Sequence, residues 1–534
     1  MFASPYPDVE IPEVTLYEYL FGGIAPEDLD RVAIVDGTSG ATTTYRDLTA
    51  RIDALAGWLA GQGVGPETTL GILCPNIPAF PVVFHGVLRA GAVVTTINSL
   101  YTSAEIARQL TDAGATWLFT ISPFLDRAEP AAQEAGIPPE RIVVLDGGPS
   151  PSGAVHPSLG EAVSAGLPAP DVHVDPHGVA VLPYSSGTSG TPKGVMLSHY
   201  NLVANVAQGR PLFGITDQDT ILAVLPFFHI YGLTMLVNAA FLHRARLVTM
   251  PKFDLAEFLR ITQDHRCTYL FIAPPIAVAL AKHPLVDQYD LSSVRVAFSG
   301  AAPLDADLGN AVAARLNCVM MQGYGMTEMS PASHIMPLAE ARRLPVSSVG
   351  FTIPNTECKL LDPATDEEIP VPTTGVSAPG QLLVRGPQNM VGYLNRPDAT
   401  AATVDPDGFL RTGDIATVTA EGVVTISDRL KELIKYKGYQ IAPAELEAVL
   451  LTHPQIADAA VIGIRAEDGE EVPKAFVVPQ ARDTARDELS AEDVMAFVAE
   501  HVAPFKKVRV VEFVDAIPKS SSGKILRREL RARA

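Results

Sequence analysis

The chain is predicted to be an α/β protein with a large N-terminal domain and a small, mobile α+β C-terminal domain. The N-terminal part is expected to hold two α/β subdomains and a small β-rich subdomain. Three observations predict this. Between Thr44 and Met321, short apolar runs alternate with helical patterns, as parallel sheets require. Residues 355–428 change to short strands punctuated by Pro and Gly. From Glu432 onward, helix and strand patterns mix over about 100 residues, enough for an independent domain. At 534 residues the chain is too long for one ordinary core. The boundary is expected near Leu430-Lys431, giving domains 1–430 and 431–534.

In chain order, Leu48, Ile52, Leu55 and Leu59 fall at helical spacing, and Gly61 and Gly63 stop that helix. Thr69–Leu73 reads as a strand, Phe80–Leu88 as a helix, and Ala92-Val93-Val94 as a strand. Thr102 and Glu105 form a capping box that opens the next helix, and Trp117-Leu118-Phe119 closes the unit. Residues 145–178, rich in Pro, Gly and Ser, read as a surface crossing. Val179–Leu182 is a buried strand. Strands are then predicted at Thr220–Leu225, Arg246–Thr249, Tyr269–Ile272, Val294–Phe298 and Cys318–Met321, with a helix from Asp254 to about His265. Glu357–Leu361, Gly380–Arg385 and Val423–Ile426 are the strands of the β-rich part. In the C-terminal part, helices are predicted at 443–452 and 491–501. Strands are predicted near 458–464, 474–478 and 508–514, and a basic helix ends the chain.

Composition narrows the function. A net charge of −20 argues against nucleic-acid binding, which needs a basic footprint. Anionic ligands must therefore be gathered by local donors rather than by the overall field. No apolar run is long enough for a membrane span. Met1-Phe2-Ala3-Ser4-Pro5 lacks the basic start of a signal peptide, and Arg531-Ala532-Arg533-Ala534 is not a peroxisomal address. Cys74, Cys267, Cys318 and Cys358 match no zinc or redox spacing and read as reduced core thiols. A cytoplasmic enzyme with no stable membrane insertion, monomer or homodimer, is expected.

One stretch organises the rest: Tyr184-Ser185-Ser186-Gly187-Thr188-Ser189-Gly190-Thr191-Pro192-Lys193-Gly194. Glycines let backbone N–H groups turn towards an anion, and hydroxyls and a lysine add donors and charge, so a phosphate cradle is expected. It is not the P-loop of the common NTPases, because Pro192 separates Thr191 from Lys193 and the glycine spacing differs. A flexible linker would not run from a buried strand into Val195-Met196-Leu197-Ser198-His199. The special residues downstream recur just past strand ends: Pro226 to Gly232, Ser299 to Pro303, and Gln322 to Glu328. That is where open α/β sheets place ligands. No Gly-x-Ser-x-Gly nucleophile elbow is present.

The cradle resembles the signature loop of the adenylate-forming enzymes, which include acyl-CoA synthetases, aryl-CoA ligases, luciferases and peptide-synthetase adenylation domains. Further segments similar to that family follow in order: Phe228-His229-Ile230-Tyr231-Gly232, Gly323-Tyr324-Gly325-Met326-Thr327-Glu328, Tyr393, Arg411-Thr412-Gly413-Asp414, Asp428 to Glu432, Lys435 to Gln440, and Pro518 to Lys524. The likeness covers nearly the whole chain, and it is greatest to 4-coumarate–CoA ligases. It implies ATP, Mg²⁺ and coenzyme A as cofactor and cosubstrates, and a small carboxylic acid as the other partner.

The resemblance also implies roles. ATP would be held by Ser185, Ser186, Gly187, Thr188, Ser189, Gly190, Lys193, Gln322, Gly323, Tyr324, Thr327, Asp414, Arg429 and Lys524. In this reading Tyr324 stacks on adenine, Asp414 and Arg429 grip the ribose, and Thr327 meets the α-phosphate. Glu328 helps hold magnesium. Lys524 is the lysine that neutralises charge as a carboxylate attacks the α-phosphorus, chemistry helped mainly by positioning and charge neutralisation. His229 is a gate or orienter near that carboxylate. Lys431 is the hinge, Lys435 and Gln440 serve the second step, and Lys437-Gly438 line the CoA path. The acid would lie against Tyr231, Ser299, Gly323, Gly325, Pro331 and Ala332, with Gly323 and Gly325 leaving room for a flat ring. One departure stands out: Met329-Ser330-Pro331-Ala332 replaces the Ala-Gly-Pro-Val of many plant enzymes. Ala332 would enlarge the pocket and Met329 would add a flexible side chain. Medium- or long-chain fatty acids and luciferase-type oxidation are the alternatives to a cinnamic acid.

Overall fold

The computed structural model describes residues 1–185, 192–436, 439–466, 471–480, 489–520 and 523–534. Two large sheets form the α/β part. One runs Gly392–Tyr393, Lys193–Ser198, Val179–Val181, Val93–Thr96, Thr69–Leu73, Ala115–Thr120 and Ile142–Val144, with Tyr184–Ser185 paired to Lys193–Ser198. The other has nine strands, and its parallel centre runs Val319–Gly325, Val296–Ser299, Tyr269–Ile272, Thr220–Ala223, Arg246–Thr249 and Val32–Asp36. The central strands are buried on both faces, which is why they read as unbroken apolar runs. A mainly antiparallel sheet of Glu357–Leu361, Gly380–Arg385, Leu410–Val418 and Val424–Arg429 makes the β-rich subdomain, and Phe2–Ala3 pairs onto its edge.

The helix Tyr45–Gly61 buries Leu48, Ile52, Leu55 and Leu59, the four residues whose spacing predicts it. The Thr102–Glu105 capping box is present, with Thr102 N–H donating to Glu105 at 2.8 Å. All four cysteines are buried and unpaired. Two segments differ from expectation. The 145–178 crossing contains a helix, Leu159–Ser164, opened by a Ser158–Glu161 capping box. The helix after the aromatic turn is a π-helix, Tyr231–Asn238.

One large core cluster extends to Val424, and a separate one begins at Ile434. The latter is built from the helices Pro443–Thr452 and Ala491–His501 and the sheet Ile456–Arg465, Glu471–Pro479 and Val510–Phe513. A hairpin, Ile434–Tyr436 with Tyr439–Ile441, precedes it. No helix among the described residues is long and apolar enough to cross a membrane.

Candidate active site

The predicted residues converge at the C-terminal ends of the nine-stranded sheet. A cavity there is lined by His229, Tyr231, Met235, Phe298, Gly300, Gly323, Tyr324, Gly325, Pro331, Ala332, His334 and Lys524, among others. Phe298, next to last in its strand, points into this cavity, and Gly300 follows on the same side. Ser299 does not line it, because alternation along a strand turns successive side chains to opposite faces. Its hydroxyl is buried without a hydrogen-bond partner. Met329 is also turned away, into the core.

The glycines line the cavity for a reason other than the one predicted. A Cβ on Gly325 would lie 2.1 Å from the Pro331 carbonyl oxygen, and one on Gly323 would lie 2.6 Å from the Phe298 ring. The protein itself fills those spaces. The flexible side chains of Met235 and Met326 also line the cavity.

At one wall, Tyr324 Oη donates to Asp414 Oδ2 at 2.5 Å. Asp414 and Arg429 pair across neighbouring strands, with Arg429 Nε 3.5 Å from Asp414 Oδ1. Burial raises the Asp414 pKa, while Arg429, Tyr324 and Lys524 oppose the shift. Glu328 is buried on a turn next to the cavity. Its Oε1 accepts from Tyr393 Oη at 2.8 Å and from Ser185 Oγ at 3.1 Å. Lys193 lies beside the same group, its ammonium 4.8 Å from the Tyr393 ring centre. Hydroxyl, carboxylate and ammonium thus meet at the foot of the cradle. Ser186, Gly187, Thr188, Ser189, Gly190 and Thr191 lie outside the described residues.

Lys524 enters from the C-terminal domain. Gly523 sits at φ +83°, a backbone shape that favours glycine, and packs against Ala273 and Pro275. Ser520 Oγ accepts from the Lys524 N–H at 3.1 Å. Burial, then the charge of Arg429, lowers the ammonium pKa to about 8, against the opposite pull of Asp414 and Glu328. Across the cavity, His229 Nδ1 accepts from the Tyr231 N–H at 3.3 Å, which leaves the ring proton on Nε2. Burial and the Lys524 charge push the His229 pKa down to about 3, so the ring is neutral and acts as a hydrogen-bond donor.

Other expected residues are placed differently. Gln322 is committed elsewhere: its amide bonds both ends of Leu304 and the Val346 carbonyl, and its own carbonyl accepts from Met336. It builds the loop that carries the site and does not line the cavity. Thr327 is buried on the same turn as Glu328 but does not line the cavity either. Lys435 is exposed on the hairpin, in register with Gln440 and away from the cavity, and Lys437-Gly438 lie outside the described residues. Lys431 is an exposed turn residue after the strand Val424–Arg429. Phe298, Met235 and His334 were missed. Met235 carried a signal, since it stands four residues after Tyr231 in an apolar helical run.

Residues 24–394 match the AMP-binding enzyme family, and residues 445–524 match the AMP-binding enzyme C-terminal domain. The chain belongs to the AMP-binding enzymes. Over 543 residues it is 41% identical to 4-coumarate–CoA ligase 2 of Nicotiana tabacum, covering 100% of this chain and 97% of that one. Full-length likeness of this kind places it among the AMP-forming acid–CoA ligases, which use ATP and CoA. Among solved structures, a benzoate CoA ligase from Burkholderia xenovorans LB400 is 27% identical with a TM-score of 0.84, covering 97% of this chain and all of that one. ATP-bound MatB from Rhodopseudomonas palustris is 28% identical with a TM-score of 0.85, covering 97% and 98%. The apo form of MatB, over the same shares, scores 0.76.

Proposed function

We propose that the acid this ligase activates is 4-coumarate or a related cinnamic acid. One observation carries this beyond the family likeness. The Tyr231 hydroxyl is buried against Gly300, at the wall of the cavity, and has no hydrogen-bond partner. A buried polar group without a partner is rare and costly. A ring hydroxyl would satisfy it, whereas an alkyl chain would leave it stranded. Sites built to bond a hydroxyl discriminate strongly against analogues that lack one.

The first step joins the acid carboxylate to the α-phosphorus of ATP and releases pyrophosphate. The His229 Nε2–H donates to the incoming carboxylate and fixes its direction. Lys524, charged near neutral pH, faces the negative charge that builds as the two anions meet. Asp414 takes the ribose hydroxyls, with Tyr324 and Arg429 holding its carboxylate in place, and Lys193 and the cradle hydroxyls serve the phosphates. Glu328 has one oxygen occupied by Tyr393 and Ser185, which leaves Oε2 for a metal. Among the described residues no cluster of three or more His, Cys, Asp or Glu forms a metal cage. A single carboxylate suits Mg²⁺, which completes its shell with water and substrate phosphates and screens their charge when bound. In the second step the CoA thiol attacks the acyl carbon and AMP leaves, using the face of the small domain that carries Lys435 and Gln440. We place the domain boundary at Leu430-Lys431 and the protein, monomer or homodimer, in the cytoplasm.

The test is acid-dependent pyrophosphate release with and without CoA, over cinnamates, benzoates and C6–C12 fatty acids, with products identified by mass spectrometry. Strong preference for alkyl acids overturns the aryl assignment. Oxidised product in place of thioester overturns the ligase reading.

A further inference from the structure

The helix Pro443–Thr452 of the small domain is held at both ends by the large one. Its own sequence supplies no capping side chain at the start and no basic residue in the last turn. At the start, Asp428 Oδ2 accepts from the Ala444 N–H at 2.9 Å. At the end, Lys282 Nζ donates to the Leu451 carbonyl at 2.6 Å and to the Ile456 carbonyl at 3.4 Å. An anion at the amino end and a cation at the carbonyl end each match the helix dipole.

Lys282 is the last residue of the helix Pro274–Lys282, whose first turn receives Gly523 and the Lys524 loop. That helix is about 13 Å long at 1.5 Å per residue, so it touches the small domain at two separated points. Inside the small domain, Glu447 joins the two contacts. It lies one helical turn before Leu451, bonds the Arg527 guanidinium at 2.7 Å, and accepts from the Val461 N–H at 2.8 Å. Arg527 follows Lys524 by three residues. A rotation of the small domain that frees the Lys282 grip therefore also lifts Lys524 from the cavity.

We propose that Lys282 is a positioning residue for adenylate formation: it grips the carbonyl end of helix Pro443–Thr452 and so fixes the domain rotation that delivers Lys524. The inference rests on the two-step reading above. The likeness to a nucleotide-bound relative over its apo form fits an arrangement set for the first step.

The full-length enzyme, Lys282→Ala and Lys282→Arg are compared in two assays. One is acid-dependent exchange of pyrophosphate into ATP. The other is thioester formation from supplied acyl-adenylate and CoA. Lys282→Ala is expected to lower kcat for exchange roughly three- to ten-fold, as loss of a charged hydrogen bond at the surface would. KM for the acid should stay within about two-fold, because Lys282 lies outside the cavity. Thioester formation should be unchanged or faster, and Lys282→Arg should restore exchange. Unchanged exchange in Lys282→Ala, or equal loss of both half-reactions, overturns the proposal. Absence of both half-reactions in the unmodified enzyme overturns the ligase reading instead.

Discussion

Tyr324→Phe removes one oxygen and isolates the contribution of the Asp414 contact. In the structure the Asp414 carboxylate has two partners: the Tyr324 hydroxyl at 2.5 Å and the Arg429 guanidinium at 3.5 Å. A hydrogen bond to an ionised acceptor contributes about 1.5–3 kcal/mol. Arg429 remains after the substitution, so the lower half of that range applies. At about 1.4 kcal/mol per decade this raises KM for ATP roughly ten- to forty-fold, with kcat much less affected. The pH dependence has a definite sign. Burial already raises the Asp414 pKa, and the Tyr324 hydroxyl opposes that rise. Removing it raises the pKa further, so ATP affinity should be lost at a higher pH on the acid side than in the parent. The same shift makes the folded variant hold a proton at pH values where the unfolded chain has already released it. Its stability deficit is therefore largest near neutrality and narrows on acidification. Pyrophosphate exchange at varied ATP and pH, with melting curves at the same pH values, measures all three effects. An unchanged KM together with an unmoved acid limb would refute the role given to Asp414.

Further outcomes are expected at the same site. Lys524→Ala should abolish adenylate formation and spare thioester formation from supplied adenylate, checked by running the half-reactions separately; equal slowing of both contradicts it. In the parent enzyme, kcat/KM for exchange should fall above pH about 8, as the buried ammonium loses its proton. His229, neutral down to about pH 3, should contribute no limb near neutrality. Glu328→Gln keeps a group for Tyr393 and Ser185 to bond but loses the charge, so half-saturating Mg²⁺ in a metal titration should rise about ten-fold or more. Ala332→Val should cost bulky methoxylated cinnamates about 1–3 kcal/mol, roughly ten-fold or more in kcat/KM, and leave cinnamate itself little changed. The main chain has no room to yield there, since Asn205 bonds both the N–H and the carbonyl of Ala332, at 3.1 and 2.8 Å.

Much of the scaffold was legible because covered strands leave a clear pattern, an unbroken apolar run where both faces are buried and partial alternation where one is. Arg246–Thr249, Tyr269–Ile272, Glu357–Leu361 and Gly380–Arg385 form strands over the residues predicted. The π-helix Tyr231–Asn238 was not legible, because an apolar run carries the same residues whether its bonds span four positions or five. The helix at Leu159 could have been found, since Ser158 and Glu161 have capping-box spacing. At the site, Lys524, Tyr324, Asp414 and Glu328 were recognisable by residue type and order. Gln322 and Ser299 lie off the cavity lining, because a motif does not say which way a side chain turns. Lys282 left no trace at all: its partner is a main-chain carbonyl 169 positions away.

That last contact has a consequence for how the two domains change over time. Asp428 and Lys282 both address peptide groups, and every sequence offers peptide groups. The large domain therefore holds its partner through the main chain of helix Pro443–Thr452, while the pairing that ties this helix to the Lys524 loop, Glu447 with Arg527, lies wholly within the small domain. A small domain transplanted from a distant relative would still fit this socket if its helix kept its length and it carried its own acid–base pair. A graft made just after Arg429 keeps Asp428 and Lys282 with the large domain and the Glu447–Arg527 pair with the small one, and the contacts across the joint ask only for peptide groups.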